Sequence, residues 1–109
     1  MQDVVIIGSG PAGLSAALYM LRGGFSTTVI GKDNGALEKA EKIQNYFGLE
    51  RPLSGHELVE IGKKQVLDLG GNILQDEVVQ LFFSSRNTML FSSYFRINST
   101  VFIPEPRFL

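Results

Sequence analysis

The chain has 109 residues and a mass of 12.0 kDa, the size of one modest domain. A formal net charge of -1, a pI near 5.7 and 19% charged residues describe an ordinary globular composition, without the basic excess of a nucleic-acid binder or a membrane-seeking surface. There is no cysteine, which excludes disulfides, thiolate metal ligands, cysteine nucleophiles and dithiol redox chemistry from what these residues do, and no metal ligand set is read.

The first apolar run, Val4 to Ile7, follows no basic residues and ends at Gly8. It is too short for a membrane span and lacks the flanks of a signal peptide, so the expected location is cytoplasmic. Asp3 to Ile7 instead predicts a buried parallel strand. A helix is predicted to follow directly, with Pro11 in its first turn, Leu14, Ala17, Leu18 and Leu21 at helical spacing, and Gly23-Gly24 as a left-handed stop. Thr27 to Ile30, rich in β-branched residues and ended by Gly31, predicts the second strand of a βαβ unit with the usual right-handed crossover.

From Asn34 to Pro52 no clean period survives, and this stretch reads as a long, partly ordered connection. Ser54-Gly55-His56-Glu57 then matches a capping box opening a helix that runs to about Leu69 and stops at Gly70-Gly71. Asn72 to Leu81 alternates well enough for one or two extended segments. Beyond this point the composition changes: all twelve glycines lie between Gly8 and Gly71, and residues 82–109 contain no Ala, Lys or Asp but six of the eight phenylalanines. The chain is therefore divided into a partial dinucleotide-binding domain at 1–81 and an atypical tail at 82–109, frameshifted or non-homologous. Phe91, Tyr94, Phe95, Ile97, Val101, Phe102 and Ile103 leave two readings of that tail open, further strands or an exposed, aggregation-prone appendage.

The sharpest chemical signal is Gly8-Ser9-Gly10-Pro11-Ala12-Gly13, a GxGxxG placed between a predicted strand and a predicted helix. Gly8 permits the tight turn, Gly10 lets backbone approach a pyrophosphate, and Gly13 lets the helix pack on the sheet. The free N–H groups of the helix start then face the phosphates. The acid that usually holds an adenosine ribose at the end of the second strand is missing, because Gly31-Lys32-Asp33 occupies that place. Asp33 has the right spacing but lies two residues past the strand, and Lys32 reads as a solvated lysine more readily than as a 2′-phosphate ligand.

These residues, with Asn34-Gly35-Ala36-Leu37, Lys42-Ile43-Gln44-Asn45-Tyr46-Phe47-Gly48 and Ser54-Gly55-His56-Glu57-Leu58, resemble the N-terminal FAD-binding segment of bacterial thioredoxin reductases and their relatives among the pyridine nucleotide-disulfide oxidoreductases. The likeness covers about residues 1–81. It implies an α/β fold, a Rossmann-like FAD-binding βαβ unit with a parallel sheet that is incomplete relative to the full family domain. It also implies FAD with its pyrophosphate over Gly8, Ser9, Gly10, Pro11, Ala12 and Gly13. Gly35, Leu37 and Asn45 match positions that in the family hold the ribityl and isoalloxazine parts, and Val79 matches one whose backbone meets the adenine. The family often has no acid at the end of the second strand, which accommodates Gly31.

Phe47 stands where many members have proline, a local departure. A full member also continues through a β-meander to an Ala-Thr-Gly segment, an NAD(P)H domain with its own glycine turn, a Cys-x-x-Cys pair and a closing Gly-Asp segment; none of these is legible here. The implied function is the FAD-binding part of a thioredoxin reductase-like NAD(P)H/FAD-dependent oxidoreductase, truncated before the cysteine pair and the NAD(P)H domain, with no catalytic residue of its own. The alternatives are an inactive truncated product or a small non-catalytic module that binds FAD or NAD, and a completing chain or a homodimer are the partners left open. Tyr46 and Phe47 are read either as stacking near a flavin or as packing under a loop. His56 is read as a surface helix residue without a catalytic partner, and the pairs Glu38-Lys39 and Glu41-Lys42 as solvated.

Overall fold

The structure, a computed structural model, describes residues 3–83, 88–92, 96–98 and 100–102, with side chains through residue 79. Strand β1 (Val4–Ile7) leads into helix α1 (Pro11–Arg22), strand β2 (Thr27–Gly31), a short 3-10 helix (Ala36–Lys39) and helix α2 (Gly55–Asp68). Strands β3 (Asn72–Gln75), β4 (Val78–Phe83), β5 (Thr88–Ser92), β6 (Arg96–Asn98) and β7 (Thr100–Phe102) follow. The parallel sheet has the order β3-β2-β1-β7, and β4, β5 and β6 form a second, antiparallel sheet.

Alternation along the strands explains the core. Val4, Ile6 and Val29 join Leu14 and Ala17 of α1 and Val59 and Val66 of α2 in one buried cluster, so both helices lie on that face. Val5 and Ile30, on the opposite face, are also fully buried, which is why β1 reads as a continuous apolar run and β2 is buried along its whole length. The start of the sheet is pinned by a reciprocal pair: Asp3 N–H donates to Ser26 Oγ at 2.8 Å and Ser26 N–H donates to Asp3 Oδ2 at 2.9 Å. Asp3 thus precedes β1 instead of belonging to it.

The predicted helices are observed within two residues of their expected ends. Of the Gly23-Gly24 pair only Gly24 is left-handed, at φ 88°, while Gly23 keeps helical geometry at φ -77°. At the start of α2, Ser54 Oγ accepts the Glu57 N–H at 3.1 Å, but only half of the capping box forms. The Glu57 carboxylate turns to Arg51, 3.3 Å away, where a charged donor replaces a neutral one. The long connection is more ordered than its sequence suggests, because the 3-10 helix and an antiparallel bridge between Ile43 and Leu53 tie it down.

Beyond residue 81 the structure corrects the expectation that no β-meander is present, since β4, β5 and β6 pair in succession. The missing signal was glycine in the turns; the strands themselves rest on Thr, Ile and Phe, whose β propensity needs no glycine. Of the two readings of the tail, strands are observed at β5, β6 and β7, and β7 lies parallel to β1 with Val5 opposite Val101. Tyr94, Phe95 and Ile103 lie outside the described residues. No helix among the described residues is long and apolar enough to cross a membrane.

Ile6 is completely buried between sheet and helices, whereas Phe47 is 100% exposed. Truncation of Ile6 to Ala should lower unfolding free energy by about 2–5 kcal/mol. Phe47→Ser should stay within about 0.5 kcal/mol of the parent. Urea titrations of the two variants beside the parent chain check both values.

Candidate functional site

The glycine turn sits where β1 runs out. Gly8 adopts φ 121° and donates its N–H to the Ile30 carbonyl at 2.7 Å, which holds the turn against the end of β2. A Cβ on Gly13 would overlap the Gly8 carbonyl, so only glycine lets the first turn of α1 lie this close to the strand end. Gly10 is the N-cap of α1, Pro11 follows at the first helical position, and neither a side-chain cap nor an acidic residue occupies the first turn. The helix start is therefore left with free N–H donors and uncompensated positive potential, the arrangement that binds phosphate.

These groups border a cleft of about 310 Å³ lined by Gly8 to Gly10, by Ala12 and Gly13 of the first turn of α1, and by Gly31 at the end of β2. Asp76 and Glu77, in the link from β3 to β4, and Val78, the first residue of β4, also line it. The cleft lies at the carboxyl ends of strands whose order reverses at β1, with β2 and β3 on one side and β7 on the other. Such switch points are where open α/β sheets bind ligands.

Ser9 and Gly31 are a matched pair. Ser9 is buried, and its hydroxyl donates to the Asp33 carbonyl at 2.6 Å. A Cβ on Gly31 would fall on that hydroxyl, so the Ser9 side chain occupies the space that any side chain at the end of β2 would need. The Asp33 carboxylate is turned inward on its own loop and accepts the Gly35 N–H at 2.9 Å. Lys32 reaches across the cleft mouth to Glu77 at 3.6 Å, with both side chains largely exposed.

The other residues expected at the site divide. Gly35, at φ 79°, passes beside Gly10 and lines the cleft. Leu37 packs instead on the hydrophobic cluster, between α1 and α2 and beside Leu14 and Val59. Pro11 lines the same groove as Leu37. Asn45 is exposed and does not border the cleft. The β4–β5 register slips between Val78 and Gln80, which leaves Val79 without a ladder partner and 63% exposed. Phe47 is fully exposed and packs under nothing, whereas Tyr46, though largely exposed, borders the groove that Leu37 lines.

Asp76, Glu77 and Val78 are cleft residues that sequence reasoning missed. Asp76 N–H donates to the Gly31 carbonyl at 3.0 Å, and its Oδ1 accepts the Glu77 N–H at 2.7 Å. Its other oxygen, Oδ2, is buried and without a partner among the described residues. An unsatisfied buried acceptor costs on the order of 1–3 kcal/mol. The local signal was an acidic pair just after a strand; what gives it meaning is that β3 lies beside β2, a pairing that sequence periodicity does not reveal.

His56 corrects one expectation, because it does have a partner. Its Nδ1 hydrogen-bonds the Glu38 carboxylate, which clamps the 3-10 helix to the first turn of α2 and leaves Glu38 half-buried where a solvated side chain was expected. The hydrogen bond to Glu38 raises the His56 pKa above its ordinary 6.5, and the hydrogen bond to His56 lowers that of Glu38 below its ordinary 4.5. His56 therefore stabilises the fold fully below pH 6.5 and loses that effect as pH rises through its raised value. Glu38 stabilises above pH 4.5 and loses the effect as pH falls through its lowered value.

Two measurements test these pairs. The melting-temperature difference between the parent and His56→Gln should be greatest between pH 4.5 and 6.5 and should shrink as pH rises through the raised His56 value. Gly31→Ala should be clearly destabilising in the parent and much less so on a Ser9→Gly background, with a coupling of about 1–3 kcal/mol in a double-mutant urea cycle.

Comparison with known proteins agrees with this geometry. The family model described as pyridine nucleotide-disulphide oxidoreductase matches residues 2–88. Thioredoxin reductase of Aquifex aeolicus is 43% identical over 79 residues, 71% of this chain and 24% of that protein. That of Treponema pallidum is 40% identical over 81 residues, 72% of this chain and 26% of that protein. The solved thioredoxin reductase of Gloeobacter violaceus superposes with a TM-score of 0.88 at 30% identity, over 94% of this chain and 35% of that one. The chain thus spans about a quarter of the length of these curated relatives, at 24% and 26%. A parallel βαβ unit with a glycine cradle, and a family match over most of its length, establish that the chain belongs to the pyridine nucleotide-disulphide oxidoreductase family and corresponds to an N-terminal segment of the thioredoxin reductase type.

Proposed function

We propose that this chain binds FAD and serves as the nucleotide-binding portion of a thioredoxin reductase-like oxidoreductase. The observation that carries the reading is the cradle itself: a helix start with free N–H donors and no acid, approached through Gly8, Gly10 and Gly13, facing a cleft of about 310 Å³. One further feature fits an adenine nucleotide. Val79, left out of the strand ladder, has backbone available to an adenine edge.

In this reading Gly8, Ser9, Gly10, Pro11, Ala12 and Gly13 form the pyrophosphate turn, with Gly10 and Gly13 keeping it open and Ser9 holding the Asp33 loop in place. Gly35 closes the cleft from above. Leu37 supports that loop from the core and Asn45 is presented at the surface, where each is assigned to the flavin end of the cofactor. Bound flavin would supply the redox chemistry, as cofactors do in general, while the protein binds and orients it. Transfer of electrons to a disulfide is work for residues outside these 109, which include no cysteine. Residues 1–81 carry the cofactor contacts, and beyond them β5 and β6 extend the antiparallel sheet while β7 adds an edge strand to the parallel one. Homodimerisation and a cytoplasmic setting complete the proposal by analogy with the whole enzymes.

Adding FAD to the purified chain should raise its melting temperature, because a ligand bound only by the native state stabilises it by about 2.7 kcal/mol at a hundredfold excess over Kd. A Cβ at position 10 would meet only ordinary contacts, the nearest being the Asn34 carbonyl at 3.5 Å. Gly10→Glu should therefore fold yet lose the FAD response, since its carboxylate fills and repels the phosphate position. Stabilisation by NAD and not by FAD would replace the flavin assignment with a nicotinamide one, and no shift with either would end the binding proposal.

A further inference from the structure

We propose that Asn34-Gly35, beside the cleft, is a site of spontaneous chemical modification, and that its conversion in the cofactor-free chain to aspartate and isoaspartate switches nucleotide binding off. The chemistry depends on residues 33–35 alone. Its effect on binding rests on the nucleotide reading above.

An asparagine side chain and the backbone nitrogen that follows it close a five-membered ring when the two are free to approach. Here the Gly35 nitrogen attacks Asn34 Cγ. The N–Cγ bond forms, the Cγ–Nδ2 bond breaks, and the amide group leaves as ammonia with the proton that the Gly35 nitrogen gives up. Water then opens the imide at one of its two carbonyls. Attack at the side-chain carbon gives aspartate; attack at the main-chain carbon gives isoaspartate, whose peptide bond runs through the side chain. Nothing is oxidised or reduced.

Of the asparagines in the chain only Asn34 precedes glycine; Asn45 is followed by Tyr46, and Asn72 by Ile73 within β3. Without a Cβ, position 35 leaves its nitrogen open to approach, and Gly35 already holds a left-handed φ of 79° that glycine tolerates. Both residues are part-exposed, in the loop between β2 and the 3-10 helix. Among the described residues no backbone hydrogen bond holds the Asn34 N–H or carbonyl. One contact acts as a brake: the Gly35 N–H donates to Asp33 Oδ1 at 2.9 Å, and that proton has to leave before the nitrogen attacks. The hydrogen bond is exposed to solvent, so the hold is partial.

The consequence reaches the cleft through Gly35, which lines it and passes Gly10 so closely that a Cβ on Gly10 would lie 3.8 Å from the Gly35 Cα. Isoaspartate adds a carbon to the main chain between positions 34 and 35, and Gly35 then cannot keep its place beside the phosphate turn. Either product also puts a carboxylate where a carboxamide stood. After His56, the Asn34 carboxamide also lowers the Glu38 pKa, and a carboxylate in its place repels Glu38 instead. A nucleotide seated against Gly35 opposes the loop movement that ring closure requires. The cofactor-free chain therefore ages out of its binding state, and the loaded chain is protected.

The test incubates the full chain at mildly alkaline pH with and without saturating FAD, then resolves asparagine, aspartate and isoaspartate in its peptides by tandem mass spectrometry. Without FAD, Asn34 should convert faster than Asn45 and Asn72, with release of ammonia. FAD should slow that conversion. The converted chain should lose the FAD-dependent rise in melting temperature in proportion to its isoaspartate. Asn34→Gln, whose longer side chain cannot close a five-membered ring, should keep the rise after the same incubation, and Asn34→Ser replaces it as control if the glutamine chain fails to fold. Asp33→Ala, which frees the Gly35 N–H, should convert about 2- to 10-fold faster than the parent, the worth of one hydrogen bond. An Asn34 that outlasts Asn45 or Asn72, or a converted chain with an undiminished FAD response, overturns the inference. A fresh chain that never responds to FAD overturns the cradle reading and the binding switch with it, while conversion of Asn34 is still read from the peptides.

Discussion

The first turn of α1 lies directly on the carbonyl of Gly8, and much else in the molecule depends on that approach. Because Gly13 carries no side chain, the helix begins where the strand ends, and its unbonded N–H groups open onto the carboxyl edge of the sheet. A methyl group at this point would push two pieces of backbone apart, and no side-chain rearrangement offers relief. The Asn34–Gly35 backbone passes close to Gly10, and Gly35 lines the cleft there.

The second constraint is a trade between positions 9 and 31. The Ser9 hydroxyl holds the Asp33 carbonyl and in doing so takes the volume from which a ribose-binding acid would project. The acids that do border the cleft come from the neighbouring strand end, where Asp76 and Glu77 stand. A glycine at the end of the second strand is thus a consequence of how the first turn is braced. It is no sign that the site has lost its chemistry.

Around this edge the helices act as a backing layer. Val59 and Val66 of α2 close over Leu14 and Ala17 of α1, and Gly55 at the start of α2 lies so near the Leu37 carbonyl that a side chain there would not fit. The His56–Glu38 pair adds a polar tie at the same junction. The loop that roofs the cleft is consequently anchored through the 3-10 helix to α2. Its position reflects packing some distance from the phosphate turn, as well as the turn itself.

The sequence by itself determined the βαβ unit and the phosphate turn, because these depend on features local in the chain: β-branched runs, helical spacing and glycines within six residues of one another. It likewise marked Ser54 as a cap, since the hydroxyl and the N–H it accepts are three residues apart. Only the tertiary structure decided the rest. That Asp76 borders the cleft follows from β3 lying beside β2, and that Glu57 turns to Arg51 and Glu38 to His56 follows from where the long loop folds back. The place of β7 beside β1 joins residues almost a full chain length apart. Such pairings depend on which surfaces meet after the chain has turned several times, and a one-dimensional pattern of apolar and polar residues carries no record of that choice.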